Sequence, residues 1–254
     1  MTICVLLSPL ALVLFLRYPI VSPGWWYVVG TALLHAVYFI LLGRSYNRAD
    51  FSLVYPIARG IGAATVPVLG VLILGESVTL PAVAGILAVL LGIFTVYWWG
   101  HLSQLLQDPF RLMRDSGTRY AVFTGVVIAT YSVWDKVGVR YVDPFLYMYL
   151  MTLGSVLSLA PYIMRTHGAG RIRAEWRARP RSIVVAGLLT FLAYGMVLKA
   201  FTLSQVSYVS PSREIGIVMS VLLGTFVLKE PFGKGRAMGS GLIVVGLVLI
   251  ATAP

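Results

Sequence analysis

The sequence predicts an all-α integral membrane protein, a polytopic helix bundle of about nine transmembrane helices, and three observations carry that expectation. Of the 254 residues, 59% are hydrophobic and 11% charged, whereas soluble chains run at roughly 45–50% apolar and 25% charged. Mean hydropathy is +0.88. The apolar residues form continuous runs rather than alternating every second position, which selects helices over barrel strands. At ~20 residues per span, a chain of this length with short loops holds about nine or ten helices.

Nine charge-poor segments follow in order. The first, Met1 to Leu16, is short for a span and stops at Arg17; it lacks a basic start and a small-residue cleavage site, so it reads as a retained span rather than a signal peptide. The second occupies Trp25 to Gly43, the third Phe51 to Leu74 with Arg59 inside it, and the fourth Leu80 to Trp99. After a polar linker, His101 to Thr118, in which a short interfacial helix is expected, the fifth covers Tyr120 to Lys136. The sixth is Pro144 to Met164 and the seventh Ser182 to Phe201. The eighth, Val206 to Leu228, again holds internal charge at Arg213 and Glu214, and the ninth is Ala237 to Ala253. Trp25, Trp26, Trp98 and Trp99 fit interfacial belts.

Charge sets the sides. Fourteen of the twenty Lys and Arg residues fall in the loops after the second, fourth, sixth and eighth segments, and four fall in the alternate loops. Positive-inside bias places the richer set in the cytoplasm, with the N-terminus inside and the C-terminus outside. The Arg-rich loop Arg165 to Arg181 is a topology anchor against anionic headgroups.

Several function classes drop out. Cys4 stands alone, so no internal disulfide or cysteine metal cluster is available. His35, His101 and His167 lack metal-ligand spacing, and no phosphate-cradling G-x-x-x-x-G-K-S/T loop occurs. No cofactor or metal is expected, nor an ATP-driven motor. An enzyme would need a nucleophile or metal constellation, and none is visible. The net charge of +11 does not point to nucleic acid, because the basic residues sit between apolar runs.

The chain repeats itself. With an offset of 154 and no gap, Arg59, Ile61, Gly62, Leu69 and Gly70 fall on Arg213, Ile215, Gly216, Leu223 and Gly224. Leu74, Glu76, Gly85 and Gly92 fall on Leu228, Glu230, Gly239 and Gly246. The third and eighth segments are therefore equivalent, and a separation of five makes them cross in opposite directions. Inverted repeats are a plan of secondary transporters, in which a central site is exposed to the two sides alternately. The expected organisation is a first repeat at 1–100, a linker at 101–118 and a second repeat at 119–254. Five helices precede the end of the second repeat and four that of the first, so the duplication predicts a ten-helix plan whose first helix is missing.

The stretch Ala49 to Gly60 (ADFSLVYPIARG), the LGES of Leu74 to Ser77 with its Gly-containing helix, and the second copy SPSREIG followed by LKEPFGKGRAMGSGLIVVG resemble the EamA family of the drug/metabolite transporter superfamily. The resemblance covers nearly the whole chain. It implies a ten-helix, two-repeat carrier of small metabolites in the cytoplasmic (bacterial inner) membrane, and leaves the substrate open. Family members usually keep both termini in the cytoplasm, a departure from the charge count above.

Charge inside the bilayer marks the candidate site. Arg59 and Arg213 each lie about nine to eleven residues into a span, near the midplane at ~1.5 Å per residue. An ionised group there must face a polar cavity or a partner. Pro56 and Pro211 precede them by three and two residues and remove backbone donors. Tyr55, Tyr208, Ser210 and Ser212 flank them, which matches the broken helices of carriers. Two readings stand side by side. In one, the arginines grip a carboxylate or phosphate-like group, while Glu214 neutralises one of them or takes up a proton that couples transport. In the other, Arg59, Arg213 and Glu214 form a buried network joining the repeats. His35, with Tyr38 a turn on, is a proton relay, a cavity donor or a histidine bonded to a neighbouring helix. Asp135 and Lys136 read as a local pair or gate, and Glu76 and Glu230 as turn and packing residues.

The expected partners are a small-molecule substrate and membrane lipid, with protons as one source of energy, no nucleic acid, and a monomer or homodimer. The alternative to a metabolite carrier is a flippase for an anionic lipid carrier, whose phosphate the midplane arginines would suit equally.

Overall fold

The computed structural model describes residues 2–49, 51–99, 115–227, 229 and 233–253. The expected interfacial helix of the linker, with His101, and Glu230 lie outside the described residues. The described chain is all-helical and polytopic. Its helices are α1 (Thr2–Arg17), α2 (Ser22–Tyr46), α3 (Phe51–Leu74), α4 (Leu80–Trp98), α5 (Ser116–Gly138), α6 (Pro144–Ala178), α7 (Pro180–Leu203), α8 (Val206–Ser212), α9 (Ile215–Phe226) and α10 (Lys234–Ala251). Each expected segment corresponds to one of these, except that the eighth is divided into α8 and α9. Among the described residues, six helices are long and apolar enough to cross a membrane: Ser22–Tyr46, Val54–Leu74, Leu80–Trp98, Pro144–Ala178, Pro180–Leu203 and Lys234–Ala251. The helix Ile3–Arg17 is apolar but shorter.

Burial runs in the sense a lipid solvent demands. Large apolar side chains face outward, such as Leu72 (75% exposed), Leu80 (84%) and Phe226 (77%). Thr31, Ser45, Thr124, Ser132 and Ser207 are fully buried. Several spend their hydroxyls inside the helix, Thr124 Oγ1 on Tyr120 O and Ser132 Oγ on Ile128 O, both at 2.7 Å. In hydrocarbon no water would satisfy them.

The chain forms two compact units. One comprises Met1–Val37 and Trp134–Leu203, the other Tyr38–Val133 and Ser204–Pro254.

In the first unit α1 packs on α6 and α7. Asp143 starts α6 by accepting from the backbone N–H of Phe145 (3.0 Å) and Leu146 (3.1 Å), with Pro144 at the first helical position. The segment expected as an Arg-rich loop is helical instead. α6 continues to Ala178 and bends at Gly168 (φ 72°, ψ 153°). Arg, Ala and Glu in the run after the bend are strong helix formers, and Gly alone tolerates the left-handed residue at the bend.

In the second unit the duplication is written into the backbone. The helix ends equivalent at offset 154 both leave through a left-handed residue, Gly75 (φ 67°) and Lys229 (φ 55°). The helices that follow start from equivalent caps of nearly the same conformation, Thr79 (φ −75°, ψ 157°) and Gly233 (φ −74°, ψ 157°). The helices themselves, α4 and α10, pack on each other over their length. A Cβ placed on Gly85 would stand 2.7 Å from Gly246 O, and one on Gly92 would stand 2.7 Å from Gly239 O. Since Gly85 is equivalent to Gly239 and Gly92 to Gly246, the two contacts exchange when the repeats are exchanged. Rising numbers on one helix meet falling numbers on the other, so the equivalent helices cross antiparallel about a local pseudo-twofold, with glycine bringing backbone onto backbone. Ala63, Ile86, Val89, Ile93, Ile217, Val218, Ile243 and Ile250 fill the core around this crossing.

Candidate functional site

The site is built on the difference between two equivalent helices of the second unit. α3 runs unbroken through Pro56 and Pro67, so the broken-helix pattern expected around Arg59 is not found in this copy. Its counterpart breaks. α8 ends at Ser212, the bonds tighten to a three-residue spacing (Glu214 N to Pro211 O, 3.0 Å; Gly216 N to Arg213 O, 3.2 Å), and α9 restarts at Ile215. Pro211 stands two residues before Arg213 and supplies no backbone donor. Where the first copy has Gly60, the second has Glu214, placed at the break as the residue before α9.

The break aims Glu214 at the other copy. Arg59 Nη2 donates to Glu214 Oε1 at 2.6 Å, with the side chains 21% and 4% exposed. The pairing is incomplete: Arg59 Nε and Glu214 Oε2 are buried with no hydrogen-bond partner. A guanidinium has five N–H donors in a planar fork and a carboxylate has two oxygens, so each retains capacity for a polar group presented to it. Arg213 lies within electrostatic reach of Glu214 and of Tyr38.

Tyrosines surround the pair. Tyr38, Tyr55 and Tyr131 lie within electrostatic reach of Arg59, Tyr46 of Tyr55 and Arg59, and Tyr97 of Tyr55, Glu214 and Arg59. Tyr38 and Tyr131 meet edge to face at 5.8 Å, and Tyr55 and Tyr97 at 6.3 Å. Tyrosine offers both a donor hydroxyl and a π face, the chemistry that a planar or polar group beside the charges would meet.

Other residues singled out in the sequence have different surroundings. Tyr208 accepts from Thr79 N (3.3 Å) and packs on the α4/α10 core. Ser212 Oγ donates to Tyr208 O at 2.8 Å, and Ser210 and Pro211 are buried. His35 belongs to the first unit, where Nδ1 lies 2.9 Å from Thr31 O and 3.1 Å from Thr31 Oγ1. Asp135 and Lys136, read as a local pair, have separate partners. Asp135 is fully buried and accepts from Tyr147 and Tyr194, while Lys136 Nζ donates to Phe201 O at 2.6 Å. Neighbouring residues on a helix point about 100° apart, which leaves them on different faces.

Glu76 is a cap. Its carboxylate accepts from Val206 N (2.8 Å), Ser207 N (2.9 Å) and Ser207 Oγ (2.6 Å), satisfying the free N–H groups at the start of α8. It fixes the end of the short helix whose other end presents Arg213 and Glu214. Tyr46, Tyr97 and Tyr131 were not foreseen as site residues, because each sits in an apolar run with no local spacing signal.

Comparison with known proteins agrees with this architecture. A solved crystal structure aligns with TM-score 0.67 at 16% identity, covering 95% of this chain and 83% of its own, a likeness of fold. No curated protein matches the chain. Residues 3–90 match the Small Multidrug Resistance protein family, and residues 116–252, more than half the chain, match the EamA-like transporter family. The chain belongs to the EamA-like transporter family.

Proposed function

We propose that the chain is a secondary carrier that moves a small polar or anionic metabolite across the cytoplasmic (bacterial inner) membrane by alternating access. What is already in hand is coarser: a helical membrane protein of a transporter family within the drug/metabolite type. The single observation that carries the finer reading is the half-used Arg59–Glu214 pair, with a buried guanidinium Nε and a carboxylate Oε2 lacking partners among five tyrosines.

In this mechanism a carboxylate or phosphate-like substrate competes with Glu214 for Arg59. The guanidinium fork takes the anion bidentately, and tyrosine hydroxyls donate to its remaining oxygens. Loss of the ion pair frees Glu214 and the hinge at Arg213–Glu214, so that occupancy is linked to the packing of α8 and α9. The exchange-symmetric α4/α10 crossing supports this reading, since two inverted halves can trade conformations only if their shared seam looks alike from both. Energy comes from the substrate gradient or from protons.

A thermal-shift screen of the purified full chain tests the proposal. Small carboxylates, inorganic phosphate and phosphate esters are expected to raise the unfolding temperature of wild type and not of Arg59→Met. A screen in which neutral amines or sugars stabilise the chain and no anion does would overturn it.

A further inference from the structure

The first unit holds a buried acid that the substrate site does not use. Asp135, in the last turn of α5, has zero exposure. Tyr147 Oη donates to Oδ1 at 2.9 Å and Tyr194 Oη to Oδ2 at 2.6 Å, so helices α6 and α7 converge on the two oxygens of one carboxyl. Room is made for it: a Cβ on Gly138 would stand 2.6 Å from Tyr147 Oη. Tyr147 Oη also reaches Tyr27 O of α2 at 3.2 Å. Also from α2, His35 and Thr31 lie within electrostatic reach of the same carboxyl. The His35 ring meets Tyr194 edge-on at 5.6 Å and 67°. Lys136, next in sequence, directs Nζ to Phe201 O.

Both partners are hydroxyl donors, one on each carboxyl oxygen, a set that matches the two acceptor oxygens of the ionised acid and that a neutral amide, with one acceptor oxygen, would not match. Here an ionisable group is sealed from solvent, given two neutral donors, and set within electrostatic reach of the His35 imidazole. We propose that Asp135 and His35 form the proton-binding site of the carrier, with Tyr194 linking them. This rests on the carrier reading and adds the coupling ion to it. The step balances simply: the carboxylate takes one proton from water on one side and returns it on the other. When Asp135 is protonated, its hydroxyl oxygen no longer accepts from a tyrosine as before. One of the two tyrosine bonds then turns or weakens, which loosens α6 or α7 from α5. Protonation state and helix packing are thereby tied together.

Infrared difference spectroscopy of the full chain in liposomes, titrated with pH, tests this without any substrate. The expected result is a carboxylic-acid C=O band that grows as pH falls, disappears in Asp135→Asn and returns with a moved midpoint in Asp135→Glu. Tyr194→Phe, which keeps the acid, should shift the band and its midpoint, and His35→Gln should move the midpoint. A band that persists in Asp135→Asn, or a wild-type carboxyl that does not change between acid and alkaline pH, overturns the proposal. The two readings fail separately. A titrating Asp135 in a protein that carries no solute counts against the carrier, whereas solute transport with no titrating Asp135 counts against the proton site.

Discussion

Two glycine-to-alanine substitutions on one helix should have opposite signs. At Gly246 an added Cβ would stand 2.5 Å from Gly85 O and 2.8 Å from Val89 N. Ordinary non-bonded separations are about 3.5–4.0 Å, so α4 and α10 must part by roughly 1 Å along their closest approach. Overpacking of this kind costs ~1–3 kcal/mol, against a gain of ~1 kcal/mol from replacing glycine in a helix interior. The net expectation is a loss of about 0–2 kcal/mol. At Gly241, five residues earlier, an added Cβ meets nothing within 4 Å, and only the propensity gain of ~1 kcal/mol remains. The pair should therefore differ by roughly 1–3 kcal/mol, on the order of 2–12 °C in unfolding temperature for a chain of this size. Thermal unfolding of both variants in the same detergent, followed by circular dichroism, measures the difference. If Gly246→Ala is as stable as Gly241→Ala, the antiparallel glycine seam is not where the structure puts it.

Other outcomes follow from the same geometry. Arg59→Met leaves Glu214 buried without its partner and should destabilise the chain by ~3–5 kcal/mol, while Arg59→Met with Glu214→Gln should recover most of that loss in a double-mutant cycle. Glu76→Ala exposes the N–H groups that start α8 and should cost ~0.5–2 kcal/mol by thermal unfolding. Lys229→Gly relieves a left-handed residue at φ 55° and should stabilise by about 1 kcal/mol in the same assay.

The helical class, the order of the spans and the repeat were legible because each rests on local pattern. Apolar run length defines a span, and the offset of 154 needs only identity at matched positions. The same offset went further than identity, since Gly75 with Lys229 and Thr79 with Gly233 share backbone conformation despite different side chains. Arg59 and Glu214 were legible as midplane charge, and a buried network of Arg59, Arg213 and Glu214 was one of the two readings; which of them bond directly was not legible, because it depends on which face each helix turns to its neighbour. Equivalence pointed to Arg59 and Arg213 as a matched pair, yet the direct bond runs from Arg59 to Glu214, which replaces Gly60 and sits where the second helix breaks. Asp135 and Lys136 read as a local pair or gate because they are adjacent at the close of an apolar run. The true surroundings of Asp135 come from Tyr147 and Tyr194, distant in sequence and unmarked by spacing. The Arg-rich segment reads as a loop because charge ends the apolar run, yet its residues favour helix and Gly168 is the non-helical residue within it.

The central claim is that Arg59 receives an anionic solute that the chain then carries. Counterflow in proteoliposomes measures this most directly, with vesicles loaded with the anion that best stabilises the wild-type chain and a trace of the labelled anion outside. The account predicts transient accumulation in wild type and Gly241→Ala. For Arg59→Lys, which keeps the charge and loses the fork, half-saturation should rise roughly 10–100-fold, the worth of one charge-assisted bond of ~1.5–3 kcal/mol. Unchanged accumulation and half-saturation in folded Arg59→Lys and Arg59→Met would contradict it.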